Sequence, residues 1–247
     1  MIAIKLFKEQ NLKGYTLIEG FPGIGLVGPM AASYMIEKLG MDYIGYVASD
    51  FFPPIAAVHE GTPMHTARIS KDAKNKLGII FSEFTIPTNA VYQLGDETIS
   101  FIRKYGLQRV ISIGGMPSSK QDEVPYVITS DPALLKKASA QGIKQIKEGV
   151  IAGVSAVLLT SAVELGIPTM NLLVQVNPEI MNPKYAETAI QGLHKLIGLE
   201  IDLSELQKET KEVEAKVREL LKKAKDSKER YQKQAGETDS SGPSMYA

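Results

Sequence analysis

Strand-like and helix-like hydrophobic spacings alternate through the first two hundred residues of this 247-residue chain. That alternation restricts the fold more than any other feature, because strands joined by helices pack as an α/β sheet with helices on both faces. Residues 2–7 and 15–19 read as strands, with 11–14 as the turn between them. The glycine-rich run Gly20-Phe21-Pro22-Gly23-Ile24-Gly25-Leu26-Val27-Gly28 then leads into a helix over 29–39, where Pro29 suits the first turn. Residues 43–48 complete a βαβ unit. Beyond the stiff loop Asp50-Phe51-Phe52-Pro53-Pro54, strands are expected at 55–59, 66–70 and 77–84, with a turn at 72–76.

Residues 89–105 place Val91, Leu94, Thr98, Ile102 and Tyr105 on one side of a helix. Residues 109–113 read as a short buried strand that ends at Gly114-Gly115, and 126–129 as another. Asp131-Pro132 opens a helix to residue 140, with Asp131 as N-cap and Pro132 in the first position. Residues 153–165 are apolar on nearly all sides, which predicts a buried helix. Residues 169–176 carry no charge, as in the middle of a parallel sheet, and 183–196 form the next helix. The expected fold class is α/β, with a mostly parallel sheet flanked by helices over residues 1–200.

Composition narrows the function. Lys+Arg and Asp+Glu both number 28, so no net field draws the chain to nucleic acid or an anionic membrane. Cysteine is absent, which removes disulfides, a thiolate nucleophile and Cys-ligated zinc. The three histidines, His59, His65 and His194, are too few for a His-rich metal site. Lys5 and Lys8 interrupt the N-terminus too early for a signal-peptide core. The longest apolar run, 150–163, is too short to span a bilayer. A soluble, cytoplasmic protein is expected.

The last fifth of the chain is different. Apolar or small residues recur at 203, 206, 210, 213, 217, 220, 224, 227 and 231 in a three-four spacing, on a segment more than half charged. Residues 202–234 read as one helix roughly 45 Å long, opened by an Asp202–Glu205 capping pair. Its seam, Leu203, Leu206, Val213, Val217 and Leu220, either lies on its own domain or pairs with a helix of another copy. Residues 235–247 read as a flexible tail through Ser240, Ser241, Gly242, Pro243 and Ser244 to Met245-Tyr246-Ala247. An apolar side chain, a phenol ring and a carboxylate at a chain tip make a compact docking group.

Gly23-x-Gly25-x-x-Gly28 matches the dinucleotide fingerprint between strand and helix, with Asp50 near the end of the next strand. A dinucleotide-binding oxidoreductase is therefore an alternative reading, although Phe21-Pro22 crowds the turn and nothing else supplies hydride chemistry. The other reading makes these glycines a means of close packing. Ser118, Ser119 and Lys120 beyond Gly114-Gly115 could touch a phosphate or form a polar loop. Glu83 and Glu164 sit near apolar segments, and no Walker loop, G-x-S-x-G elbow or HExxH occurs. No catalytic residue, metal site or cofactor is expected.

The glycine run from Gly20 to Gly28 with Ala31-Ala32, then Phe52-Pro53-Pro54, Ser82-Glu83 and Gly114-Gly115, resembles the archaeal proteasome assembly chaperone family over residues 15–200. The resemblance implies a nucleoside-phosphorylase-like fold, a homo-oligomer (a tetramer by expectation) and no enzymatic role. Some members end in a hydrophobic residue, Tyr and any residue, as Met245-Tyr246-Ala247 does. The resemblance then implies that Met245 and Tyr246 enter a pocket between α subunits of the core proteasome ring, where the Ala247 carboxylate meets a lysine. An ATP-independent assembly chaperone or activator, which could open the gate, is the expected function.

Overall fold

The computed structural model describes residues 1–119, 122–208 and 210. In chain order these form β1 (Ile2–Leu6), β2 (Thr16–Gly20), α1 (Val27–Lys38), β3 (Asp42–Ser49), β4 (Ala56–His59), β5 (Thr62–His65), β6 (Ala67–Asp72), β7 (Leu77–Ser82), α2 (Val91–Tyr105), β8 (Arg109–Pro117), β9 (Tyr126–Thr129), α3 (Pro132–Ala140), β10 (Lys144–Gln145), α4 (Val154–Glu164), β11 (Thr169–Val176) and α5 (Pro183–Ile197). A single sheet takes nine of these strands in the order β1-β3-β6-β7-β2-β8-β11-β9-β10. The expected α/β architecture is present. Its parallel part is the centre, β7-β2-β8-β11, where every residue of β2 and β7 is buried. That burial is why these strands read as continuous apolar runs. Antiparallel pairs β1–β3, β3–β6 and β6–β7 extend one side, and β9 lies antiparallel to β11 on the other.

Two helical layers cover the sheet. One core joins α1, α3 and α5 to Ile18, Ile79, Phe81, Ile111 and Leu172. The other joins α2 and α4 to Leu17, Ile80, Ile69 and Val110. Adjacent residues of a strand thus serve opposite layers, as the two-residue period requires. Helix starts follow their sequence signals: Asp131 Oδ1 accepts from Ala133 N at 2.7 Å and from Leu134 N at 3.3 Å, with Pro132 first.

Some expectations are revised. β1 and β2 do not neighbour each other, since β3, β6 and β7 lie between them, so the 11–14 turn joins strands of opposite regions. β3 is likewise three strands from β2 rather than beside it. Thr62–His65, unassigned in the sequence reading, pairs with β4 across Glu60-Gly61, both at positive φ. β8 does not stop at Gly114-Gly115 but runs through them to Pro117, in register with β11 throughout. The apolar helix α4 is buried on one side only, leaving Val163 exposed on it and Leu165 exposed just beyond it.

The start of the C-terminal segment lies on its own domain. Asp202 Oδ1 accepts from Ser204 N at 2.9 Å, which holds the Asp202 carboxyl below its usual range, and residues 204–208 are helical. Glu205 pairs with Lys38 instead of reaching back to the cap. Leu206 is buried in the α1/α5 core with Leu203 packed beside it, and Thr210 is buried too. Gln207 Nε2 donates to Glu187 Oε1 at 3.1 Å, so this segment climbs back along α5. Of the two readings of the seam, Leu206 follows packing on its own domain, with Leu203 half-buried beside it. Val213, Val217 and Leu220 lie outside the described residues, as do most of 202–234 and all of 235–247.

Leu206→Ala is expected to lower the unfolding free energy by about 2–4 kcal/mol, the scale for a truncated buried leucine. Urea denaturation at two protein concentrations checks it: an intrachain site gives the same loss at both.

Candidate functional site

The loops that leave the carboxyl ends of the four central parallel strands lie on one edge of the sheet, where open α/β sheets place their ligand crevice. The glycine run is one of them. After β2 it forms a 3₁₀ turn at Ile24–Leu26 and enters α1, with Gly25 at φ 71 and Leu26 at φ 51. Leu26 is thus a non-glycine residue in the left-handed region, a conformation that requires support from its surroundings.

That support comes from backbone packed on backbone. A Cβ on Gly28 would lie 2.9 Å from the Ile113 carbonyl oxygen and 3.0 Å from the Phe21 oxygen. A Cβ on Gly20 would lie 2.8 Å from the Gly28 oxygen. Gly115, inside β8, approaches the turn from below, and a Cβ there would sit 2.0 Å from the Ile24 carbonyl oxygen. The Val176 side chain of β11 fills the space against Gly25, where a Cβ would meet three of its atoms at 3.0 Å. Between them, β8 and β11 therefore close the inner side of the turn at Ile24 and Gly25.

Asp50 does not join these glycines. It caps β3, three strands away, or roughly 14 Å at ordinary strand spacing. Its carboxylate pairs instead with the Met1 ammonium at 3.2 Å. Gly23, Gly25 and Gly28 are brought together, the acidic partner of the dinucleotide reading is not, and that reading is withdrawn on this geometry. Ser118 N donates to the Val176 carbonyl at 3.0 Å, so the loop after β8 is tied to β11. Lys120 lies outside the described residues.

A residue that the sequence reading passed over is Glu19. It is the last residue but one of β2, a strand buried at every position, beside its register partner Ser112 of β8, with Asn171 of β11 next in the same row. Its Oε1 accepts from Phe21 N at 2.9 Å and its Oε2 from Ser155 Oγ of α4 at 2.7 Å. One carboxyl group thus links the glycine turn, the sheet and α4. Burial pushes its pKa up, against the opposing effect of these hydrogen bonds. The signal in sequence was a lone charge in the strand Thr16–Gly20, which the structure buries at every position.

Glu83 and Glu164 are not a pair. Glu164 is exposed at the end of α4. Glu83 Oε1 accepts from Arg68 Nη2 at 2.6 Å and lies 2.8 Å from His59 Nε2. Arg68, buried over the Phe81 ring, also donates to the His65 carbonyl at 3.0 Å. His65 stacks on Tyr46 with its Nδ1 2.8 Å from Tyr43 Oη. Both histidines therefore fasten the β4–β5 hairpin to the sheet. Among the described residues no group of three or more potential ligands is placed to hold a metal ion, and no helix is long and apolar enough to cross a membrane. Met245, Tyr246 and Ala247 lie outside the described residues.

The chain thus forms a mixed nine-stranded sheet, flanked by helices, with a glycine turn at its carboxyl edge packed from below by β8 and β11. The sequence profile of the PAC2 family matches residues 17–221, and the chain belongs to that family. An uncharacterized protein of Methanocaldococcus jannaschii is 26% identical over 219 residues, covering 87% of this chain and 90% of that one. The crystal structure of Pyrococcus furiosus PbaA, an archaeal homolog of proteasome-assembly chaperone, superposes with a TM-score of 0.81 at 27% identity, covering 96% of this chain and 99% of PbaA. Pyrococcus furiosus PbaB, an archaeal proteasome activator, shares the fold at a TM-score of 0.77 and 21% identity, covering 89% and 98%.

Two outcomes are expected. Gly115→Ala should destabilise the fold by at least about 2 kcal/mol, whereas Gly23→Ala, in extended backbone with nothing near its Cβ, should change it by less than about 0.5 kcal/mol. Thermal unfolding of both variants checks this. For Glu19, the raised native pKa means that the folded chain holds a proton that the unfolded chain releases. Its stabilising contribution is complete below the ordinary carboxylate range and is lost as pH rises through the native value. Glu19→Gln should therefore resist urea better than the wild type at pH 8 and lose that advantage at pH 4.

Proposed function

We propose that this chain is an ATP-independent proteasome-binding protein, an assembly chaperone or activator, that docks through its C-terminus. The observation that carries the reading is the sequence Met245-Tyr246-Ala247 at the end of a PAC2-family chain. Two facts support it. The body resembles PbaA, a homolog of proteasome-assembly chaperone, along nearly its whole length. The carboxyl-edge turn, where an α/β enzyme would hold its ligand, is packed by Ile24, Gly115 and Val176.

In this mechanism Met245 fills an apolar slot and Tyr246 adds a ring and a hydroxyl between two α subunits of the core particle. The Ala247 carboxylate meets a lysine there. One such charge-assisted hydrogen bond contributes about 1.5–3 kcal/mol, which is weak alone. A homo-oligomer carries several copies, and tethered copies raise avidity by roughly 10²–10⁴ without a new contact. The stretch from Ala235 to Ser244 can span at most about 35 Å, enough slack for an oligomer to reach several pockets of a ring whose symmetry differs from its own. Docking that is tighter to the open ring than to the closed one shifts the gate toward opening, and nucleotide hydrolysis has no part in it.

Deleting Met245–Ala247 is expected to weaken capture of the core particle at least a hundredfold in a pull-down, with the oligomer's mass unchanged. Undiminished capture by the truncated chain would overturn tail docking.

A further inference from the structure

Three central strands begin level at the amino edge of the sheet, opposite the glycine turn. Thr16 of β2 pairs with Leu77 of β7 on one side and with Arg109 of β8 on the other. A cavity of about 200 Å³ lies at this edge, lined by Thr16, Asn75, Gln108, Arg109, Lys137 of α3 and the Gly198 turn that ends α5. Arg109 lacks the partner that its burial calls for. Its side chain is half-buried and its Nε–H buried, yet among the described residues it makes no hydrogen bond and no ion pair. A guanidinium drawn out of water without an acceptor is costly, so such a group ordinarily has an anion against it. Lys137, exposed at the rim, has no carboxylate partner either among the described residues. None of the described residues lining the cavity is acidic. Asp72, near Asn75, is taken by Lys74 N at 2.9 Å and by the Asn75 amide. Glu200, exposed just past the α5 turn, pairs with neither cation. The carboxyl end of α5 offers about half a negative charge, which leaves most of the two positive charges unmatched.

The geometry points to a phosphate-binding site between Arg109 and Lys137. Charge and donors select the ion. A phosphate group carries about 1.5–2 negative charges at neutral pH, enough to match both cations, whereas a carboxylate leaves one of them unmatched. The guanidinium fork spans two oxygens of a phosphate. The Thr16 hydroxyl accepts from Gln108 Nε2 at 3.3 Å and keeps its own proton to donate, and the Asn75 amide keeps a second N–H. With the two cations, these donors exceed what the oxygens of a carboxylate can use. Size sets the upper limit. The cavity is smaller than the roughly 300–1,000 Å³ of sites for drug-sized ligands, so it takes inorganic phosphate or the phosphate end of a small monoester rather than a whole nucleotide. The site is separate from tail docking and stands whether or not the tail binds.

Isothermal titration calorimetry of the full chain tests it, with inorganic phosphate, glycerol phosphate and acetate at equal ionic strength. The proteins compared are wild type, Arg109→Gln and Lys137→Ala. Charge-assisted bonds from two cations correspond to a Kd for phosphate of about 1 mM or tighter. Arg109→Gln is expected to weaken binding at least about tenfold, and Lys137→Ala at least about threefold. Lys137 is exposed on α3 and alanine suits a helix, so its loss of binding cannot come from unfolding. Glycerol phosphate bound at least as well as inorganic phosphate identifies the ion as the end of a larger ligand. Weaker binding of glycerol phosphate identifies the free ion, and both results support the site. Phosphate binding weaker than about 1 mM, acetate bound as tightly as phosphate, or wild-type affinity in either variant would overturn it.

Discussion

Backbone touching backbone at the glycine turn sets the geometry of everything around it. Gly28 lies against the Ile113 and Phe21 carbonyls, Gly20 against Gly28, and Gly115 against Ile24. None of these contacts leaves room for a β-carbon, so α1 can seat this deeply over β2 and β8 only with glycine at each position. The same closeness explains why β8 continues through two glycines, residues that normally weaken a strand. The glycines that match a dinucleotide fingerprint in the sequence thus serve close packing of α1 on β2 and β8.

Glu19 acts within the same arrangement. A carboxyl group at full burial is unfavourable when ionised. Here it ties the Phe21 amide to Ser155 and so holds α4 to the turn. Arg68 and Glu83 do a comparable job at the β4–β5 hairpin, with His59 on the same carboxylate oxygen. In both places polar groups that resemble catalytic machinery by type are engaged in fastening loops at the carboxyl edge.

Much of this was legible in the chain. The caps of α3, the uncharged β11 and the helical spacing of α2 depend on neighbours within a few residues, and sequence reports those directly. Strand order was not legible. β1 pairs with β3 and stands four places from β2 because pairing joins distant residues, and no local signal encodes it. The β4–β5 hairpin was half seen because its turn is Glu60-Gly61 rather than the usual Asn-Gly. Asp50 follows the glycines at the right interval for a dinucleotide site, yet interval says nothing of the strands inserted between. Glu19 was missed because a lone carboxylate at a strand end reads as a solvent-facing residue. Leu203 and Leu206 fitted intrachain and interchain packing equally well in sequence, and burial in the α1/α5 core assigns Leu206 to its own domain.

The body, then, is a PAC2-family α/β domain, and the proposed working part is the last three residues of the chain. Peptide hydrolysis by purified core particles tests this division most directly, with wild-type protein compared against Tyr246→Ala at equal concentration and without nucleotide. The account predicts that the wild type accelerates hydrolysis and that Tyr246→Ala leaves it at the rate of core particles alone. Equal acceleration by the two proteins would contradict it.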